Sequence, residues 1–427
     1  MAYIIGENMI EVKTLNSGTR VIVENKRGVE GVSFRMHFSI GSKDETPEIY
    51  GISHLIEHML FKGTKKRSAF QISYDLERVG ASVNAFTSKQ STCYLTYGTK
   101  DSLKTCVEVL SDMFFNSVFD EIELEKEKQV VLEEMKMYQD TPRDVAETLI
   151  EQCFFDGTPY SHDIIGTEKS VLSITREQIL EYIKKYYTPK NLVVSFAGNI
   201  TLEKALKLVE EYIESGFKVK EKSEFLPNTV DFMPKRKEIK KYMQTNQSHV
   251  LIAFPVENIF KQTPLSTYCS RSLCNGMSSR LFQIIREKLG LVYSIFSGVY
   301  SYEIGGLFII QFATSSKNVP LALKTIRKEL NKIVLKGFKN SEFKSVKKTL
   351  IANLKLNTDN LRSASSKNIN SLLYLNKIET KEDRLKKYND VKLEEVNAYA
   401  KSLFSKENYV VCLVGENTEY NLLELFK

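Results

Sequence analysis

Two of the five histidines in this 427-residue chain stand four residues apart, in Ser53-His54-Leu55-Ile56-Glu57-His58. On a helix, positions i and i+4 share a face, so both imidazoles can reach one cation. Glu57 is i+3 from His54, on the edge of that face. There its carboxylate can accept a proton from metal-bound water without ligating the metal. A zinc ion lowers the pKa of its water towards ~7, and the neighbouring glutamate then acts as general base. Without a metal, the same residues are two histidines on an exposed helical stripe. With so few histidines in the chain, the spacing is uncommon by chance.

Two histidines leave a catalytic zinc one protein ligand short. A carboxylate from another element could complete the set. Glu127 and Glu134 lie in a helical pattern at 120–138, seven residues apart and so nearly two turns apart on one face. Their flanks, Val130, Val131, Leu132 and Met135, are apolar. Carboxylates facing inward amid a buried stripe need a partner, and a metal supplies one. The other reading is ordinary surface charge on a Glu- and Lys-rich helix, and spacing alone leaves both open.

The elements that must hold these groups show in the hydropathy pattern. Val21 and Val23, then Val32, Phe34, Met36 and Phe38, alternate with period two and read as strands. Helices are expected at 48–62, 68–79, 101–116, 120–138 and 174–187. A strand hairpin is expected at 83–99, and LVVSFAGNI (192–200) reads as a buried strand. The Lys-rich stretch from about 216 to 246, with Pro227 and Pro234, lacks a period and reads as a connection. Beyond it the grammar repeats: a strand at 249–256, helix, break and helix, a strand pair at 294–314, and helices at 317–334 and 340–356. FDEIELEKEKQVVLEEM (119–135) matches FKNSEFKSVKKTLIANL (338–354) at a constant offset of 219. The expected fold class is α+β: two homologous domains, 1–222 and 223–427, each a mostly antiparallel sheet covered by helices.

The phrase GISHLIEHMLFKGT (51–64), with its inverted His-x-x-Glu-His order, resembles the zinc helix of the pitrilysin/insulinase family of metallopeptidases, in the subgroup of mitochondrial-processing-peptidase-like bacterial proteins. The resemblance covers nearly the whole chain. It implies that Glu134, with 75 residues between it and His58, is the third ligand, and that Glu127 supports the metal site without touching the ion. GASVNAFTS (80–88) resembles the strand after the zinc helices. That implies substrate-backbone contact from Asn84 and pairing of an extended peptide along Ala85-Phe86-Thr87. NGMSSRLFQIIREKLGLVYS (275–294) resembles the segment whose Arg and Tyr assist catalysis, here Arg286 and Tyr293, which would hold the substrate carbonyl and the developing oxyanion. Two departures stand out. One glycine, Gly276, stands where the family often has a run, and Asn353 stands where the offset would place a counterpart of Glu134. One zinc per chain is therefore expected.

The resemblance implies a zinc endopeptidase acting on peptides or unfolded segments inside a closed chamber. Four-unit relatives suggest that two such chains pair, as a homodimer or as a heterodimer with an inactive homologue. The alternative is a non-catalytic subunit, though no zinc residue is lost. Bulk composition bears on the remaining classes. Hydrophobic residues at 42% and charged residues at 26% are globular values. A net charge of +7 is mild for this length. The basic residues near Lys235, Arg236, Lys237, Lys240 and Lys241 read as a solvated linker or strand edge, so no nucleic-acid partner is expected. Six cysteines without a C-x-x-C pair read as reduced, mostly buried thiols. No signal peptide is expected from MAYIIGENMIEVKTL, and no apolar run approaches the ~18 residues of a membrane span. A cytoplasmic location is the expectation.

Overall fold

The computed structural model describes residues 2–5, 8–217, 232–356, 360–375 and 377–427. Its strands run in chain order as β1 (Ala2–Ile5), β2 (Asn8–Thr14), β3 (Arg20–Asn25), β4 (Gly31–Phe38), β5 (Ser82–Thr87), β6 (Thr92–Thr99) and β7 (Leu192–Gly198) in the first half. The second half holds β8 (Lys237–Tyr242), β9 (Ser248–Val256), β10 (Ile295–Tyr302), β11 (Gly305–Thr314) and β12 (Val410–Gly415). They form a seven-stranded sheet in the order β1-β2-β3-β7-β4-β6-β5 and a five-stranded sheet in the order β10-β11-β9-β12-β8. In each sheet one neighbouring pair is parallel, β3 with β7 and β8 with β12. Every other pair is antiparallel. The α+β class expected from the sequence is what the chain adopts.

The second sheet repeats five strands of the first. Matching β8 to β3, β12 to β7, β9 to β4, β11 to β6 and β10 to β5 reproduces both the order and every direction. The helices keep step. We label α1 (Ile52–Met59), α2 (Ala69–Glu77), α3 (Leu103–Asn116), α4 (Glu121–Asp140) and α5 (Pro142–Phe154). The counterpart of α4, Asn340–Leu356, begins 219 residues after it.

Sequence explains where these strands sit. β7 is buried along its whole length because it lies between β3 and β4, with helices over both faces. Phe34 and Phe196 face each other across β4 and β7 and stack at 5.0 Å, an aromatic pair of about 0.5–1.5 kcal/mol beyond burial. On one face of this sheet, Val21, Phe34, Met36 and Phe196 pack with residues of α1, α3 and α4. On the other face, Ile22 and Val193 meet Ile369 and Leu373 of the helix Leu361–Tyr374.

The chain divides into two compact units, and neither is continuous. The first is Met1–Met135, His162–Leu226 and Asn357–Glu382; the second is Lys136–Ser161, Pro227–Leu356 and Asp383–Lys427. The difference from a single division at 222/223 has a cause. Helix α5 lies in the first half of the sequence but packs on the second sheet, with Val145, Ile150 and Phe154 against Leu251, Leu307 and Val410. The helix Leu361–Tyr374, which begins 219 residues after α5, packs on the first sheet. The 222/223 junction itself lies outside the described residues.

The stretch read as a connection, 216–246, is corrected in part, since Lys237–Tyr242 is strand β8. Among the described residues it is an edge strand, paired on one side only, so its lysines need no inward period. Lys240 reaches the carbonyl of Tyr420 and pairs with Glu238, while Arg236 pairs with Glu407. All six cysteines are free and five are buried. No helix among the described residues is long and apolar enough to cross a membrane.

Candidate metal centre

Helix α1 starts where a glycine is required. Gly51 has φ +93, and a Cβ there would lie 2.5 Å from the carbonyl oxygen of Ile165. The side chain of Glu45 accepts the N–H of Gly51 at 2.8 Å and that of Ser53 at 2.9 Å. These are amides that an α-helix start leaves without partners. Ile52, Leu55, Ile56 and Met59 bury the inner face. His54, Glu57 and His58 are thereby left on the open side, half-buried.

Helix α4 supplies the carboxylates. Its buried stripe runs Leu124, Glu127, Lys128, Val131 and Met135, so Glu127 sits on the stripe itself. Val130, expected beside the carboxylates as part of the apolar flank, is 49% exposed on the outer face. His54 Nε2 lies 3.7 Å and His58 Nε2 3.6 Å from the same oxygen of Glu134, Oε2. A tetrahedral ion with ligand bonds near 2.0–2.2 Å separates its donors by about 3.4 Å, so the N2O set fits zinc. Among the described residues this is the one group of three or more potential ligands gathered within 4.8 Å.

Glu127 fixes the state of His58. His58 Nδ1 lies 2.9 Å from Glu127 Oε1. A carboxylate can only accept, so Nδ1–H donates and Nε2 keeps its lone pair for a metal. The other oxygen of Glu127 pairs with Lys62 Nζ at 2.5 Å. Burial works against the Glu127 anion, but the bonds from His58 and Lys62 outweigh it and hold its pKa below the usual range. For His58, burial opposes the cation while Glu127 and Glu134 favour it, and the net shift is upward. His54 goes the other way, down to about 4, through burial and the neighbouring His58, so it is neutral at pH 7. Its Nδ1 is buried without a hydrogen-bond partner among the described residues.

Glu57 reaches β5 while its carboxylate still feels His58 and Glu134. Thr87 Oγ1 donates to Glu57 Oε2 at 2.5 Å. Burial raises the Glu57 pKa, and the Thr87 bond only partly offsets it. A carboxylate with a raised pKa is a better proton acceptor. Thr87 was expected only as part of a substrate-pairing edge. Its hydroxyl bond to Glu57, the Lys62–Glu127 pair and the Glu45 cap had no signal in residue spacing.

Among the described residues β5 forms the edge of its sheet, pairing with β6 alone. Along it Asn84 and Phe86 are exposed, while Ala85 and Thr87 are half-buried. The Oδ1 of Asn84 accepts the N–H of Ala85 at 2.9 Å. Arg286 and Tyr293 belong to the second unit. Arg286 sits on a π-helical segment, Phe282–Lys288, with its guanidinium 5.3 Å from the ring centre of Tyr293. Tyr293 is 79% exposed. In that unit, Asn353 stands on the helix Asn340–Leu356 where the repeat would place a carboxylate.

Comparison with known proteins finds two family matches. Residues 20–168 match the insulinase family, peptidase family M16, and residues 173–350 match the peptidase M16 inactive domain. The chain is 36% identical to the uncharacterized zinc protease YmxG of Bacillus subtilis, over 95% of this chain and 98% of that one. It is 30% identical to an uncharacterized zinc protease of Mycobacterium leprae, over 94% and 91% of the two chains. Among solved structures, a peptidase M16 inactive domain from Pseudomonas fluorescens superposes with a TM-score of 0.87 at 18% identity, over 96% of this chain and 98% of that one. A protease from Helicobacter pylori gives 0.87 at 21% identity, over 95% and 99%.

Proposed function

The chain belongs to the insulinase family of peptidases, M16, and we propose that it is a zinc-dependent endopeptidase that hydrolyses peptides or unfolded or leader segments inside a closed chamber. The observation that carries this reading is the convergence of His54, His58 and Glu134 beside the carboxylate of Glu57. His54, His58 and Glu134 would hold one zinc per chain. When bound, zinc supplies Lewis-acid activation of water and of a peptide carbonyl.

The remaining steps fall to the protein's own groups. Glu57 takes the proton of the attacking water and returns it to the leaving amine, as its raised pKa favours. Thr87 keeps that carboxylate in place from β5. An extended peptide would add to the same edge, with Asn84 and the Ala85-Phe86-Thr87 backbone as its partners. Arg286 and Tyr293 would hold the substrate carbonyl and the charge that develops on it. Pairing of two chains, as a homodimer or with an inactive homologue, and a cytoplasmic location are parts of the same proposal.

The test is Glu57→Gln. Metal analysis should give near one zinc per chain in both forms, and mass-spectrometric profiling of a mixed peptide library should show cleavage only by the native protein. Peptidase activity retained in Glu57→Gln would remove Glu57 as general base. Zinc content without cleavage in the native protein would favour a non-catalytic subunit.

A further inference from the structure

A cavity of about 120 Å³, lined by both polar and apolar groups, lies in the second unit. It sits between the end of the helix Pro264–Leu273, the loop that follows, and the first half of the helix Asn340–Leu356. One water needs only about 10–15 Å³ of such space. The wall carries Arg271, Ser272, Ser278, Ser279 and Ser345. These are hydroxyls around one guanidinium, with Asn275, Gly276, Val346 and Thr349 completing the wall beside Glu342.

The electrostatics of the wall are one-sided. Its one acid, Glu342, is already engaged by Arg280 through two bonds of 3.0 and 2.7 Å, and by the N–H of Lys339 at 2.6 Å. Arg271 pairs with no carboxylate among the described residues. Ser272 and Ser279 are 2% and 7% exposed, and neither hydroxyl has a hydrogen-bond partner among those residues. Buried hydroxyls are nearly always partnered, so two bordering one cavity beside an unpaired guanidinium call for an acceptor. The acceptor that suits a planar guanidinium and several hydroxyls is an oxyanion.

We propose that this cavity binds a small tetrahedral oxyanion of the phosphate class. Arg271 supplies the charge, and Ser272, Ser279 and Ser345 supply hydroxyls that turn towards it. The site is independent of the metal centre and of any peptidase activity. Because the loop runs straight on into the segment Phe282–Lys288, a bound anion would brace the approach to Arg286.

The test is calorimetric titration of the intact chain, at ionic strength matched with chloride, using inorganic phosphate and adenosine monophosphate in parallel. The native protein and Glu134→Ala should bind equally, with one site per chain. Arg271→Gln should bind at least tenfold more weakly, and Ser279→Ala should fall between. Thermal melts without anion should leave Arg271→Gln close to native, since Arg271 has no partner to lose. Equal or tighter binding of phosphate marks the free ion as the ligand, and tighter binding of the nucleotide marks a phosphate ester; both support the site. No saturable binding of either at tens of millimolar, or binding unchanged in both variants, would overturn it.

Discussion

Glu127→Ala is the substitution that tests the proposed division between a ligand, Glu134, and its support, Glu127. In the native protein the Glu127 carboxylate takes two donors, His58 Nδ1 at 2.9 Å and Lys62 Nζ at 2.5 Å. Removing it leaves His58 free to exchange tautomers and to rotate, so part of its population no longer presents the Nε2 lone pair. Lys62 is also released, but its side chain is 32% exposed and can turn to water. Loss of such an outer partner typically weakens a metal site by about 10–100-fold, roughly 1.4–2.8 kcal/mol. Glu134→Ala, by contrast, deletes one of three donors, and its loss should exceed that range. The assay is competition for zinc against a chromophoric chelator at pH 7.5, with a thermal melt of each apo-protein to show that it is folded. Glu127→Ala should retain zinc with weakened affinity, and Glu134→Ala should lose it on dialysis. The opposite ranking would reverse the ligand assignment, and two unaffected variants would place the metal elsewhere.

Two further outcomes test the scaffold. Gly51→Ala should destabilise the fold by at least about 1–3 kcal/mol, because it strains a left-handed backbone and drives a Cβ to 2.5 Å from the Ile165 carbonyl oxygen. Gly80→Ala, with φ +68 and nothing within 4 Å, should cost less, so equal losses in urea unfolding would discredit the clash. His37, held down to about 3 by burial and then by the charges of Arg35 and Arg20, is neutral in the fold well below its ordinary 6.5. As pH falls from 6.5 towards 3, the unfolded chain takes up a proton that the folded chain refuses, so stability is lost at up to about 1.4 kcal/mol per pH unit. Urea midpoints from pH 7 to pH 5 should fall more steeply for the native protein than for His37→Gln, and parallel curves would assign the loss to other groups.

Much of the site could be read from the sequence because its chemistry is local. His54, Glu57 and His58 occupy one turn and a half of a helix, where spacing alone fixes a shared face. Glu127 and Glu134 could be placed on one helix, but which of them meets the histidines depends on how α1 and α4 pack, which periodicity does not encode. The Thr87–Glu57 bond joins residues 30 positions apart on a strand and a helix, so neither element's own pattern contains it. The duplication was readable by repetition, since both halves share one pattern of hairpin and helix, but the order of the strands within each sheet was not. The edge strand β8 was missed because it is bonded on one side only and its lysines find partners outside the sheet, which removes the alternation that identifies a half-buried strand.

The traded helices have a consequence for what counts as a part of this molecule. Cutting the chain between its halves would leave the first sheet with one bare apolar face, where Ile22 and Val193 had been covered by Ile369 and Leu373. The same fragment would carry α5, whose Val145, Ile150 and Phe154 would have nothing to lie against. The second fragment would carry the mirror image of both faults. Each half holds the other's missing layer, so neither is a separable module, and a lone half could satisfy itself only by finding a second copy with which to make the same trade. The crossing of these helices ties the stability of the unit that gathers His54, His58 and Glu134 to the helix Leu361–Tyr374, which the sequence places in the other half.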